Sequence, residues 1–461
     1  MATNRISLAK PKSFQHILCE LIQNGLLLLL TAMRILYFLF FLSLNYTLRL
    51  YFRKVKVINK PERFSSTIYV SNHAASFMDP LLLAAFNRAV VFFMTRSDVF
   101  TAFTRPIFWM AHMLPIYRQR DGVNTKEKNQ EVFKKSSEIL LKKRSLLIFG
   151  EGLTDDVFIR RLKPLKKGAV RIGFTALESC NWTQDIYLAT VGCNYSNPSR
   201  FRSDVVIKNS EKIRLNEFRT EFENNPNKII QELTARLEGM LKKDLIHVND
   251  EKSAEFTEQM MLIQRKGMPM FEENTAPVLD RWNYSNNFVE DFNINSGKYA
   301  PLRAPVQDYF EHLKVRNIDD QELYDASYNK VGFGAFLAQF FLFPICLFGA
   351  IHCGLFYFGI KRFVESKFKR PVFWGSTKLV MMILILGNLN LLLFFLLPQY
   401  IGAWLSLAYF LFIPFSGCIF HNGLAFWKRV IRNRRIRSMN VSDILKERLT
   451  LSEKITNLTE Q

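Results

Sequence analysis

Charged residues are scarce in this chain of 461 residues, and acidic residues are fewer than basic ones. Only 22% of the residues are charged, whereas 49% are hydrophobic and 43 are Phe. Because a water-soluble chain seldom needs so many Phe and Leu in unbroken runs, the composition favours a protein that lies partly in lipid. The formal net charge of +21 also suits nucleic acid, but no basic platform with interleaved aromatic residues supports that partner.

Metal-binding and disulfide patterns are missing as well. The cysteines are scattered, and none forms a pair with His or another Cys at the spacing of a metal site. The sequence therefore predicts a reducing compartment and no zinc. We also expect no cleavable signal peptide, because the first apolar run begins only near Gly25 and no small-residue cleavage site follows it. The six cysteines are Cys19, Cys180, Cys193, Cys346, Cys353 and Cys418.

The first apolar run, at 25–48, predicts an N-terminal membrane anchor within residues 1–60. Its 24 residues exceed the roughly 20 that span a bilayer, and they contain one charge, Arg34. Because a charge near the middle of a lipid-facing span is costly, the alternative is two short helices in one leaflet with Arg34 at the bend. Basic residues follow at once, so this end is expected to face the cytoplasm. They are Arg49, Arg53, Lys54, Lys56 and Lys60.

Two apolar runs near the C-terminus, at 379–397 and 401–420, predict a hairpin of two membrane spans that turns at Pro398. Basic residues precede the hairpin within 361–370, and others open the tail at 428–461. Positive loops accumulate on the cytoplasmic side, so both segments are expected there. A hairpin of two spans satisfies this expectation.

The apolar run at 331–360 fits this topology less easily. If the domain before it is also cytoplasmic, the run must enter and leave the membrane on one side. Its 30 residues are too few for two spans of about 20 each. Either the chain re-enters at Pro344 or one basic segment lies on the other side. This run and the hairpin together form the predicted C-terminal helical membrane region, 331–427.

Residues 61–250 alternate between short apolar runs and amphipathic stretches, which predicts an α/β domain with a mainly parallel sheet flanked by helices. Residues 251–330 are polar and rich in aromatic residues, and we expect a helical connector there. The candidate strands are 67–70, 90–94, 145–149, 186–191 and 204–207. The candidate helices are 81–86, 126–143, 166–178 and 228–241.

The stretch at 71–80 delivers a histidine and an aspartate to one turn between a strand and a helix. A general base and the carboxylate that orients it are commonly placed in this way, with His73 as the base and Asp79 as its partner. In the alternative, Asp79 only caps the helix ahead of Pro80, and His73 is a buried histidine of the core. The spacing alone does not decide between the two.

Three later stretches add cations, glycines and a carboxylate. Arg118 follows an apolar run and offers planar donors that suit a phosphate, with a solvated turn as the alternative. Glu151 and Gly152 follow a buried strand, where glycine allows a ligand to approach the backbone closely. Lys166 and Lys167 precede a helix whose N-terminus can itself receive an anion, so they are candidates for binding a substrate phosphate.

In this order the stretches resemble the motifs of the glycerolipid acyltransferases, the family that acylates glycerol 3-phosphate, lysophosphatidic acid and related lysolipids. The resemblance covers residues 60–210 and implies an α/β acyltransferase domain. The matching motifs are Asn-His…Asp at 72–79, Pro-Ile-Tyr-Arg at 115–118, Phe-x-Glu-Gly at 149–152 and a strand that leads into 191–195.

The resemblance also implies a role for each motif residue. It makes His73 the general base and Asp79 the group that orients it. Arg118 would help to bind the phosphate of the acceptor, and Glu151 with Gly152 would contribute to acceptor binding. No metal or other cofactor is expected, because the acceptor hydroxyl itself attacks an acyl thioester, either acyl-CoA or acyl-carrier protein.

Three features depart from the usual pattern of the family. Five residues rather than four separate His73 from Asp79, which is similar to the branch that contains fungal glycerol-3-phosphate and dihydroxyacetone-phosphate acyltransferases. Gly150 stands where proline is usual, and Leu153 stands where threonine or glycine is usual. The acceptor therefore stays open between glycerol 3-phosphate, its 1-acyl derivative, another lysophospholipid and an amino-acid lipid. A membrane scaffold with a decayed catalytic domain is the alternative outside the enzymes.

Overall fold

An eight-stranded sheet lies at the centre of the globular part of the chain. The computed structural model describes residues 35, 38–87, 91–102, 105, 108, 112–117, 125–269, 276–329 and 331–460. The strands are β1 (Phe52–Ile58), β2 (Thr67–Ser71), β3 (Val91–Arg96), β4 (Met113–Ile116), β5 (Ser145–Phe149), β6 (Tyr187–Tyr195), β7 (Ser203–Asn209) and β8 (Ile213–Arg214).

The sheet is mixed but mostly parallel, as the sequence predicts. Its order is β1-β7-β6-β2-β5-β3-β4, and β8 pairs with β6. Strand β2 pairs in parallel with β5 on one side and β6 on the other, whereas β7 is antiparallel to β6. All five residues of β2 are buried. Parallel strands that are buried on both faces form continuous apolar runs, which explains why the sequence locates the central strands.

The sequence pattern misses the two strands at the edges of the sheet, β1 and β4. In β1, basic residues alternate with Phe and Val, so they resemble the flank of a membrane anchor, yet Phe52 is buried and the strand pairs with β7. Strand β4 has only four residues, and Pro115 within it is tolerated because β4 is the last strand of the sheet. Strand β1 pairs with a strand about 150 residues later in the chain, and β4 is short and contains a proline, so local pattern locates neither of them.

Helices pack against both faces of the sheet, with Ile68 and Val70 in the core on one side and Tyr69 in the core on the other. The helices are α1 (38–51), α2 (Met78–Phe86), α3 (Thr125–Leu141), α4 (Gly168–Ser179), α5 (Arg219–Asn224), α6 (Pro226–Asp244), α7 (Glu251–Gln264), α8 (Val278–Ile294), α9 (Ser296–Tyr299), α10 (Arg303–Val315), α11 (Asp320–Tyr328), α12 (Phe333–Lys367), α13 (Pro371–Leu396), α14 (Pro398–Ile401), α15 (Ala403–Arg437) and α16 (Ser442–Glu460).

The segment expected to be a connector forms helices α7 to α11 around a core of its own. Trp282 and Tyr309 are buried there together with Leu451 from the C-terminal helix α16. Nε of Arg448 on α16 lies 2.7 Å from Oδ1 of Asp320, and both side chains are almost completely buried. The residues beyond 427 are therefore helical, since α15 continues to Arg437 and α16 returns to this core.

Three of the described helices, α12, α13 and α15, are long and apolar enough to cross a membrane. Two of them form a helical hairpin at the predicted place, because α13 and α15 are joined at residues 397–402 and pack together through Phe394 and Phe410. The helix α12 continues through Pro344, so the chain does not turn back at that residue. Of the predicted anchor, 25–34 lies outside the described residues, and α1 binds α2 through an Asn45 side chain that donates to Ala85 O at 2.9 Å.

Candidate active site

The segments that follow β2, β5 and β6 leave the sheet side by side. Ser71 at the end of β2 is paired with Phe149 of β5 and with Val191 of β6, and both pairings are parallel. In sheets of this kind, ligands bind outside the carboxyl ends of the strands. His73 comes directly after β2 and Glu151 directly after β5, so both lie at this edge.

A tight turn carries Asp79 back to His73, and Nδ1 of the histidine lies 3.0 Å from Oδ2 of the aspartate. Ser76 in this turn has a left-handed backbone, with φ of 52°, and its carbonyl accepts from Asp79 N–H at 3.3 Å. The left-handed conformation lets the two side chains meet across five intervening residues. The helix begins earlier than the predicted residue 81, at Met78, and Pro80 lies within its first turn.

Asp79 is completely buried, and donors surround both of its carboxylate oxygens. Tyr195 O–H donates to Oδ1 at 2.8 Å, and Ala75 N–H donates to Oδ2 at 2.9 Å beside the histidine. Burial, and then the charge of Asp79, raises the pKa of Tyr195 well above its usual value, so this hydroxyl is a proton donor at neutral pH. Because a carboxylate only accepts, Nδ1 of His73 carries the hydrogen and Nε2 remains available as a base.

Glu151 holds the backbone of the same turn. Its Oε1 accepts from His73 N–H at 2.7 Å, and its Oε2 accepts from Lys163 N–H at 3.3 Å. Burial raises the pKa of the Glu151 carboxyl, although these two N–H groups and the charges of His73 and Lys163 oppose the rise. Gly152 has φ of 74°, and a Cβ atom there would lie 2.6 Å from Nζ of Lys166, so this position favours glycine.

The predicted cations do not all gather at the turn. Lys166 is exposed and lies against Gly152, the residue after Glu151. Lys167 instead donates from Nζ to Oε1 of Gln231 on α6 at 3.2 Å. Arg118 lies outside the described residues. Within the described part of the chain, no cluster of three or more His, Cys, Asp or Glu side chains is arranged to hold a metal ion.

Side chains to which the sequence motifs give no role complete the arrangement. Asn72 accepts from Cys193 N–H at 2.9 Å and donates to Cys193 O at 3.1 Å, which joins the end of β2 to β6. Arg160 donates to the carbonyl of Tyr195 at 2.8 Å and so fixes the end of β6. The only sequence signal for Tyr195 is its place in the fourth motif, at the end of a strand that reaches the same edge as His73.

Comparisons with known proteins relate the part of the chain that holds this site to a protein family. Residues 54–194, from β1 through most of β6, match the family model described as Acyltransferase. No curated protein matches the chain. Among solved structures, the crystal structure of the 1-acyl-sn-glycerophosphate (LPA) acyltransferase PlsC from Thermotoga maritima is similar over 41% of this chain and 72% of that chain, with 16% identity and a TM-score of 0.27. The family match includes His73, Asp79 and Glu151, and Tyr195 is the next residue after it.

Proposed function

We propose that this chain transfers a fatty acyl group from acyl-CoA or acyl-carrier protein to a hydroxyl of glycerol 3-phosphate or 1-acylglycerol 3-phosphate, in phospholipid biosynthesis. The proposal rests on the hydrogen bonds that join Tyr195 and His73 to Asp79, together with the match of residues 54–194 to the Acyltransferase family model. The five-residue gap in the first motif favours the branch of fungal glycerol-3-phosphate acyltransferases. The catalytic domain would face the cytoplasm, because basic residues cluster at the ends of α12 and α15.

In the proposed reaction, His73 acts as the general base. Nε2 takes the proton of the acceptor hydroxyl while the acceptor oxygen forms a bond to the thioester carbonyl carbon. The carbon–sulfur bond then breaks, and the thiolate leaves with the proton that the imidazolium returns. Asp79 fixes the tautomer of His73 and stabilises the imidazolium, and the Tyr195 hydroxyl holds Asp79 in turn.

The acceptor phosphate would bind beside the Glu151 turn. The exposed Lys166 lies there, and the N-terminus of α4, which begins at Gly168, adds backbone N–H groups and the positive end of a helix dipole. Arg118 is the further candidate for this role, on the basis of its motif. Glu151 would act indirectly, because its carboxylate oxygens bind the backbone of His73 and Lys163.

The test is an acyl-transfer assay on membranes that contain the protein, with a labelled acyl thioester and either glycerol 3-phosphate or its 1-acyl derivative. We expect wild-type turnover with one of the two acceptors and none with the His73→Ala variant at equal protein level. His312→Ala is the matched control, because His312 is exposed and pairs with Glu447 in the helical region.

Each outcome has a clear meaning. Turnover by His73→Ala near the wild-type rate would refute the role of the histidine. Wild-type transfer only to other lysophospholipids or to amino-acid lipids would make the protein a remodelling enzyme. No transfer to any acceptor would favour the inactive scaffold.

A further inference from the structure

The membrane helices contact the acyltransferase domain close to its site, at the short break between α12 and α13. Arg370 in this break donates from Nη2 to Thr154 O at 3.0 Å, to Thr154 Oγ1 at 3.3 Å and to Asp155 O at 3.3 Å. Its Nε forms an ion pair with Asp156 Oδ1 at 2.6 Å. Val372 N–H, in the first turn of α13, donates to Asp156 O at 3.0 Å, so the start of α13 binds the same segment as Arg370.

Those three residues belong to a loop, residues 153–163, that follows Glu151 and Gly152; we call it the clamped loop. Its far end is tied back to its start, because Asp155 pairs with Lys163 at 2.7 Å and with Arg161 at 2.9 Å. Burial would raise the pKa of Asp155, but the bonds and charges of these two cations lower it overall, so the carboxylate stays ionised.

The contacts of the clamped loop extend to the turn that carries His73 and Asp79. Lys163 N–H donates to one oxygen of Glu151, and the other oxygen of Glu151 accepts from His73 N–H. Through the clamped loop, Arg370 is therefore connected to the backbone of the histidine without touching it.

The length of α15 places Arg370 at the surface of the bilayer. Trp404 and Trp427 are 23 residues apart on this helix, which is about 34 Å at 1.5 Å per residue and matches a hydrocarbon core of about 30 Å. Tryptophan favours the two membrane interfaces. Because α13 is antiparallel to α15, it begins at the end of the hairpin where Trp427 lies. The domain that carries His73 lies at the same end, so Arg370, directly before α13, lies at that membrane interface. Two apolar side chains of the clamped loop, Leu153 and Val157, are about half exposed there.

From these contacts we propose that Arg370 is a positioning residue: it holds the clamped loop at the membrane surface so that an acyl-bearing acceptor reaches His73 from the lipid. The proposal rests on the proposed function and gives the C-terminal membrane region a part in it. Of the two acceptors proposed above it favours the membrane-resident 1-acylglycerol 3-phosphate, against the five-residue gap of the first motif, because the exposed Leu153 and Val157 would contact its acyl chain.

Three variants of the full-length protein in membranes test this role. Arg370→Ala removes every contact that the Arg370 side chain makes with the clamped loop, and we expect the KM for 1-acylglycerol 3-phosphate to rise about tenfold with kcat within about twofold. Asp156→Asn removes only the exposed ion pair and should raise KM about twofold to threefold. Lys369→Ala is the control next to Arg370 and should leave both constants unchanged.

Hydrogen–deuterium exchange of the same membranes gives a reading that does not depend on activity. We expect backbone amides 153–157 to exchange at least about tenfold faster in Arg370→Ala than in wild type, with those of β2 unchanged. Unchanged exchange, or an equal loss of kcat in all three variants, would overturn the positioning role. Faster exchange in a protein whose wild type transfers no acyl group would instead refute the proposed function and leave the clamp standing.

Discussion

The central strands and the membrane helices have similar apolar sequences but opposite surroundings. Every residue of β2 is buried, whereas only 6% of the most apolar window of α12 is buried within the protein. Phe340 on α12 exposes 73% of its surface, which in a membrane means contact with lipid. Hydrophobicity alone therefore does not distinguish a core strand from a membrane helix. Length does, since β2 has 5 residues and α12 has 35.

In both regions, polar groups that are removed from water have hydrogen-bond partners. At the edge of the sheet, the buried Asp79 accepts hydrogen bonds from three groups. Within the membrane helices, Nε2 of His352 lies 2.5 Å from the hydroxyl of Tyr409, and its Nδ1 lies 2.8 Å from Phe348 O. A polar group removed from water is costly unless it is paired. At the sheet edge the two partners differ in burial, because Asp79 is completely buried whereas the side chain of His73 is 23% exposed.

The largest effect on acyl transfer is expected from a change in the pair that takes part in the proposed reaction, His73 and Asp79. Asp79→Asn keeps the shape of the side chain but presents an amide to Nδ1 of His73, which then adopts the wrong tautomer. We expect kcat to fall by about a thousandfold or more, measured as acyl transfer on membranes at matched protein level. A loss of less than about tenfold would show that Asp79 only supports the fold.

Two truncations of apolar side chains contrast the core with the lipid-facing surface. Leu177 is completely buried in the core between the sheet and its helices, so Leu177→Ala should lower the free energy of unfolding by about 2–5 kcal/mol. Phe340→Ala should lower the free energy of unfolding by less than about 1 kcal/mol, because this side chain would face lipid and its removal leaves no cavity in a protein core. Thermal unfolding of the two variants in the same detergent makes the comparison. An equal loss of stability would show that Phe340 packs against protein in the native assembly.

The sequence predicts the elements whose own residues carry a clear local signal and misses those that are recognised only through a partner elsewhere in the chain. It locates β2, β5 and the turn with His73, because apolar runs, turn residues and a family motif all lie within a short stretch. It does not find β1, whose basic residues alternate as they pair with β7, about 150 residues later in the chain. Nor does local pattern reveal that Tyr195 donates to Asp79 across 116 positions.

The contact between Tyr195 and Asp79 also permits the mildest test. Tyr195→Phe removes one donor from the buried carboxylate, so Asp79 is held less firmly against Nδ1 of His73. Because His73 then loses part of its orientation as the base, kcat should fall about tenfold, measured as acyl transfer on membranes at matched protein level. Tyr69→Phe is the matched control, because Tyr69 is also fully buried on a central strand but its hydroxyl does not bind Asp79. If both variants, or neither, lower kcat to this extent, the Tyr195 hydroxyl does not act through Asp79.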